Sequence, residues 1–256
     1  MDTVIDILDK GGVRHLTLSR PERLNALNSA VLDALTRHVE TAGPDGAACV
    51  VIAGAGERAF CAGADLDEID GLSSDEAHAF IRRGQRAMNA VDTSPIPVIA
   101  AVDGFALGGG FELALSCHLV VASDRSRFGL PEAKIGCMPG FGGTQRLLTA
   151  VGRAAAFHLL LTGEPVDAQR AWEIGLLSVP PVAAAELTEH VEALANRLVA
   201  GSRTGTRNIL EAGRQAARPA ALEHEAALAA LAIASADGRE GIRAFAERRT
   251  PTFGGN

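Results

Sequence analysis

The chain is poor in the groups that would mark a metal or redox centre. Its four cysteines, Cys49, Cys61, Cys117 and Cys137, show no CxxC spacing and no neighbouring histidine arrangement, which excludes a zinc site of ordinary spacing. Free thiols in a reducing cytoplasm are the plain reading. Positive charge is also scarce: 24 lysines and arginines against 31 acids leave a net charge of −7. That balance argues against a nucleic-acid binder working through bulk electrostatics, while leaving room for local basic patches. No P-loop is present, because the one glycine triplet lacks the lysine and Ser/Thr that would complete it, and no GxGxxG fingerprint forms. The N-terminus, MDTVIDILDKGG, mixes acids with apolar residues and has neither a basic n-region nor a signal h-region, so nothing directs export. The longest weakly charged stretch, residues 94–123, contains two prolines, a run of glycines, Asp103, Glu112 and His118. It reads as buried core and not as a membrane span.

What is there suits a globular α/β domain. With 256 residues, 47% hydrophobic and 21% charged, the chain can bury a large core in one main domain with room for a smaller appendage. Short runs rich in β-branched residues predict strands at 4–8, 13–18, 48–53, 98–102 and 119–122. Helical periodicity covers 29–41, with Val31, Leu32, Leu35 and Val39 on one face, and 74–91, which opens on a serine cap followed by acids. Strands alternating with helices imply a layered α/β core. After Ala183 the strand signal ends, and alanine-rich segments at 183–199, 204–217, 219–236 and 239–248 read as successive helices. A boundary near Gly201 divides a core of residues 1–200 from a helical module of residues 201–256.

Two glutamates stand beside glycine-rich turns. Gly108, Gly109 and Gly110 follow a strand and the Asp103–Gly104 turn, then lead into an apolar helix over 111–117. A helix start offers unpaired N–H groups, so an oxygen acquiring negative charge would be stabilised there, with Gly109 as one donor. The same triplet would also serve simply to let a helix approach a strand closely. Glu112 falls in the first turn of this helix, flanked by Phe111 and Leu113; as a lone residue it reads equally as a solvated acid on the helix dipole. Glu132, after Pro131, opens a short element ending in the turn at 139–143. A third small-residue turn, AFCAGADL (59–66), could bring its amides to those of the triplet. Two carboxylates next to such donors can divide the work of moving protons.

The segments AFCAGADL, PVIAAVDGFALGGGFELALSC, FGLPEAKIGCMPGFGGTQRL, DGREGIRAFAERRTPTF and the earlier RPERLNALN resemble those of the crotonase superfamily, and most closely its enoyl-CoA hydratases. The resemblance covers nearly the whole chain. It implies a crotonase-like spiral of ββα units with a helical C-terminal region, assembled as a trimer or as a hexamer made of two trimers, with residues 201–256 at or near a subunit interface. It implies an oxyanion hole made by the N–H groups of Ala64 and Gly109, catalysis by Glu112 and Glu132, and a water-positioning role for Gly140. Arg23, Ala26, Ala62, Ala64, Asp65, Leu66 and Gly109 would line the path of substrate and coenzyme A. Coenzyme A is there part of the substrate, an acyl-CoA thioester, and no separate cofactor or metal is implied. Departures from the pattern are His118, where the family commonly carries aspartate, and the lack of an aromatic residue over 228–233, which would alter packing on the adenine ring. Trp172 and Cys61 read as packing residues. Arg248, Arg249 and Phe253 are either solvated or close to the phosphates of a coenzyme A bound to a neighbouring subunit.

The implied chemistry agrees with the residues. Water added across a 2-enoyl thioester builds enolate-like charge on the carbonyl oxygen, which preorganised amides stabilise without a metal. Ionised Glu112 would take the proton of the water attacking C3, and protonated Glu132 would deliver one to C2. A Δ3,Δ2-enoyl-CoA isomerase is the alternative on the same fold, needing one carboxylate, Glu132; a non-catalytic RNA-binding or scaffold member is a third reading. Both glutamates and the negative charge favour the hydratase. The expected setting is cytoplasmic, with fatty acid β-oxidation as one pathway, and with neither nucleic acid nor membrane as partner.

Overall fold

The structure, a computed structural model, describes residues 4–214 together with 236, 240, 244, 247 and 249–252. Strands β1 (Ile5–Lys10) and β2 (Val13–Leu18) form an antiparallel hairpin. Parallel strands β3 (Cys49–Gly54), β5 (Val98–Val102) and β7 (Leu119–Ala122) extend it into a sheet of order β1-β2-β3-β5-β7. The strands that fall between these in sequence, β4 (Ala59–Cys61), β6 (Phe105–Leu107) and β8 (Arg127–Gly129), build a second sheet, closed by β9 (Val166–Asp167) in the order β4-β6-β8-β9.

The β1–β2 hairpin lies wholly in the first sheet; each later pair, β3–β4, β5–β6 and β7–β8, gives one member to each sheet, and every pair is followed by a helix. The helices are α1 (Ser29–Ala42) after β2, a short α2 (Leu66–Ile69) with α3 (Ser74–Asp92) after β4, α4 (Gly109–Ser116) after β6 and α5 (Gly143–Thr162) after β8. From β3 onward the next pair lies beside the last in both sheets, so the chain advances as the expected spiral of ββα units. Helices α6 (Ala168–Glu173), α7 (Leu187–Val199) and α8 (Arg203–Arg214) follow.

Strands β3, β5 and β7 of the first sheet are buried on both faces, and that is why they read as Val/Ile runs instead of alternating ones. One face carries Leu16, Leu18, Val50, Ile52, Val98 and Val102 into the main core with Val31, Leu32 and Leu35 of α1 and Met88 and Val91 of α3. On the other face Val13, Cys49, Val51, Ile99 and Val121 meet Leu187, Val191 and Ala195 of α7. Asn28 caps α1 by accepting from the Val31 N–H at 2.9 Å, and Ser73 with Glu76 forms a capping box at the start of α3.

Several sequence expectations need correction. The strands of the second sheet carry no sequence signal, because two or three residues are too few to show a period of two. Helices α5 and α6 are likewise absent from the sequence expectations. Within the segment expected to be helical from 183, Ala184–Glu186 is a 3-10 turn and the α-helix starts at Leu187. Most of residues 219–236 and 239–248, residues 228–233, Arg248 and Phe253 lie outside the described residues. Arg249 is ion-paired with Glu240 and Glu247, each at 2.6 Å.

Candidate active site

Four glycines bring backbone segments into contact here. Gly108 adopts φ +51°, and a Cβ there would stand 2.9 Å from Glu132 Oε1. A Cβ on Gly110 would overlap the Cys61 carbonyl, so only glycine lets the start of α4 rest on the end of β4. Gly63 adopts φ +112° with its Cβ position 3.5 Å from the Gly109 nitrogen, and the Gly109 Cβ position is 3.4 Å from the Ala64 nitrogen. The N–H groups of Ala64 and Gly109 are therefore neighbours, and neither donates to an acceptor among the described residues. Two adjacent unspent donors at a helix start are suited to an oxyanion.

Glu112, in the first turn of α4, is 2% exposed. Its Oε1 accepts from the N–H of Phe141 at 2.8 Å and of Gly143 at 2.7 Å, which fixes the carboxyl in one orientation. Burial pushes its pKa up to about 7; the Gly143 N–H resists that rise, the Glu132 charge adds to it, and the Phe141 N–H and Arg146 resist it. Glu132 lies on the 3-10 turn Pro131–Ile135, partly buried, and burial raises its pKa above the usual carboxylate range. Its Oε2 is buried with no hydrogen-bond partner among the described residues. The two N–H donors favour the ionised form of Glu112, whereas burial and the unpartnered oxygen favour the protonated form of Glu132.

Both glutamates open on a cavity of about 380 Å³. Of the residues expected from the sequence, Ala62, Ala64, Leu66, Gly109, Glu112, Glu132 and Gly140 line it. Its walls are apolar, with Phe80, Ile81 and Phe141 buried or partly buried and Leu66, Ile135 and Met138 exposed. Arg23, Ala26 and Asp65 are not among its lining. Arg23 is exposed and paired with Asp67 at 2.6 Å. The Ala26 carbonyl accepts from Arg20 at 2.7 Å, and Asp65, 8% exposed, is paired with Arg20 at 2.8 Å while capping α2. The Gly140 carbonyl accepts from Gln85 Nε2 of α3 at 3.0 Å. His118 stands apart from the cavity: its Nδ1 accepts from the Val98 N–H at 3.0 Å, between β5 and β7. Cys61 is fully buried and Trp172 is 36% exposed, neither lining the cavity. Among the described residues no cluster of His, Cys, Asp and Glu could hold a metal ion.

Sequence reasoning missed the grip on Glu112. The donors are main-chain N–H groups, which carry no residue signature; the one available signal was the glycine density at 140–143.

Residues 9–256 match the family described as enoyl-CoA hydratase/isomerase. The chain belongs to that family. It is 41% identical over 244 residues to a 2,3-dehydroadipyl-CoA hydratase of Escherichia coli K12, covering 94% of each chain. It is 38% identical over 242 residues to a crotonyl-CoA hydratase of Syntrophomonas wolfei, covering 93% of each. Its backbone is similar to the crystal structure of an enoyl-CoA hydratase from Bacillus anthracis, with a TM-score of 0.93 at 34% identity over 99% of this chain and 100% of that one. The family match and these structural relatives agree with the spiral of ββα units described above.

Proposed function

We propose that this protein is an enoyl-CoA hydratase, adding water reversibly across the 2,3 double bond of a 2-enoyl-CoA to give the 3-hydroxyacyl-CoA. The observation that carries this is the pair of carboxyls on one cavity, one gripped by two amides and the other with an unpartnered oxygen, beside two free N–H groups. The thioester oxygen accepts from Ala64 and Gly109. Ionised Glu112 removes a proton from water as its oxygen bonds to C3; the π electrons move to C2 and the thioester oxygen; Glu132 gives its proton to C2. Glu112 ends protonated and Glu132 ionised, and one proton exchange with solvent resets the pair. Gly140, which lines the cavity with its carbonyl held by Gln85, is our candidate for orienting the water.

No Lys, Arg or His lines the cavity among the described residues, which favours an apolar acyl chain over one ending in a carboxylate. We expect turnover without metal or separate cofactor, a trimeric or hexameric assembly, and a cytoplasmic setting such as β-oxidation. Among the described residues no helix is long and apolar enough to cross a membrane. The experiment is a panel of purified esters: crotonyl-CoA, 2-hexenoyl-CoA, 3-hexenoyl-CoA and 2,3-dehydroadipyl-CoA, assayed with and without chelator. Hydration of the first two, insensitive to chelator and well above the dicarboxylic ester, is expected. Isomerisation of 3-hexenoyl-CoA without hydration of either 2-enoyl ester would overturn the assignment.

A further inference from the structure

We propose that Arg146 is a positioning residue: it ties the last turns of α3 to the loop that grips Glu112, and so keeps that carboxylate in place and ionised for its proton transfer. The proposal rests on the reading of Glu112 as the base.

Arg146 stands in the first turn of α5, its side chain 16% exposed, and uses three separate nitrogens. Nε donates to Asp92 Oδ2 at 3.1 Å, Nη2 to Asn89 Oδ1 at 2.7 Å and Nη1 to the Phe141 carbonyl at 3.1 Å. Phe141 is thus held at both ends: its carbonyl by Arg146, and its N–H against Glu112 Oε1. The adjoining residue is shaped to admit the guanidinium. Gly142 adopts φ +114°, and a Cβ there would overlap Arg146 Nη1. Gln85 completes the attachment by holding the Gly140 carbonyl from α3. One planar guanidinium can fill three acceptors lying in different directions; a lysine ammonium at the end of its stem would reach one or two.

Two charges act on Glu112 itself. Glu132, from the 3-10 turn, works against its ionisation; Arg146, from α5, works for it. Asp92, from α3, draws on the same guanidinium and is 46% exposed, so solvent screens it more than it screens Arg146. A residue that merely joined α3 to α5 would have no need of the Phe141 carbonyl and would leave the ionisation of Glu112 alone.

The test uses the full chain with Arg146→Gln, Arg146→Lys and Asn89→Ala, following kcat and KM for crotonyl-CoA against pH. Arg146→Gln should lower kcat by about 10² with little change in KM, as expected for a misplaced catalytic group. It should also move the acid limb of kcat/KM upward by about half a pH unit or more. Arg146→Lys should keep the limb near its wild-type position while kcat stays depressed; Asn89→Ala should do the same more weakly. Should Arg146→Gln fail to fold, the two charge-retaining variants still decide: each must lower kcat without moving the limb. Titration of the Glu112 carboxyl by 13C NMR in wild type and Arg146→Lys reads ionisation without turnover, so it stands even if hydration is not the reaction. Loss of thermal stability with kcat and the acid limb unchanged would overturn the proposal, leaving Arg146 a structural tie.

Discussion

Burying Glu112 works against folding. Its pKa rises from 4.5 in the unfolded chain to about 7 in the fold, so the native state binds the extra proton between those values. Its contribution to stability is fully present below about pH 4.5 and is lost as pH rises through about 7. At roughly 1.4 kcal/mol for each pH unit separating the two values, the loss is about 3 kcal/mol. Glu112→Gln keeps an oxygen for the Phe141 and Gly143 N–H groups without the charge. Urea denaturation should find the variant about equal to wild type at pH 5 and more stable by about 2–3 kcal/mol at pH 8; an equal difference at both pH values would contradict the buried, raised carboxyl. Activity should move the other way. Glu112→Gln and Glu132→Gln should each lower hydration by roughly 10²-fold or more, and the double variant should fall short of the product of the two losses.

At the scale of elements, α3 is the wall against which the loop that grips Glu112 is set. Gly84 lies in the middle of that helix, where alanine would ordinarily gain about 1 kcal/mol in helix propensity. A Cβ at Gly84 would instead overlap the Phe141 ring. Overpacking of about 1–3 kcal/mol outweighs the propensity gain. Gly84→Ala should therefore lower the urea midpoint, and it should lower kcat because the displaced residue carries an N–H that holds Glu112; a more stable and fully active variant would contradict this packing. The same loop shows what the sequence left unreadable. Strands β3, β5 and β7 were legible because burial on both faces writes them as β-branched runs, whereas β4, β6, β8 and β9 span too few residues. Helix α5 opens on Gly143 and is interrupted by Gly152 at φ +75°, which masks its periodicity. Glu112, Glu132 and the glycine triplet were legible because glycines beside acids are a local pattern. The partners of Arg146 on α3 lie 54 and 57 residues away in sequence, and no local pattern joins them.

For the whole molecule, the spiral of strand pairs sets the site where the second sheet, α3 and α4 converge, so the proposed catalytic groups come from three successive units. The described part of α8 is tied to this body by Arg203, which donates to the Gly46 carbonyl at 3.0 Å, and Arg214, which donates to the Thr93 carbonyl at 3.2 Å. Phe105 at 43%, Leu161 at 74% and Trp172 at 36% exposure leave apolar side chains on β6, α5 and α6. Light scattering in dilute buffer should give a trimer or hexamer, and a stable, fully active monomer would contradict it. The most direct measurement of the central claim compares crotonyl-CoA hydration and 3-hexenoyl-CoA isomerisation by wild type and Glu112→Gln, with ester binding measured in both. The two-carboxylate account predicts a hydratase whose hydration collapses in Glu112→Gln while ester binding persists, and whose isomerisation, where present, depends on Glu132 far more than on Glu112. Hydration close to wild type in Glu112→Gln, with binding intact, would contradict it.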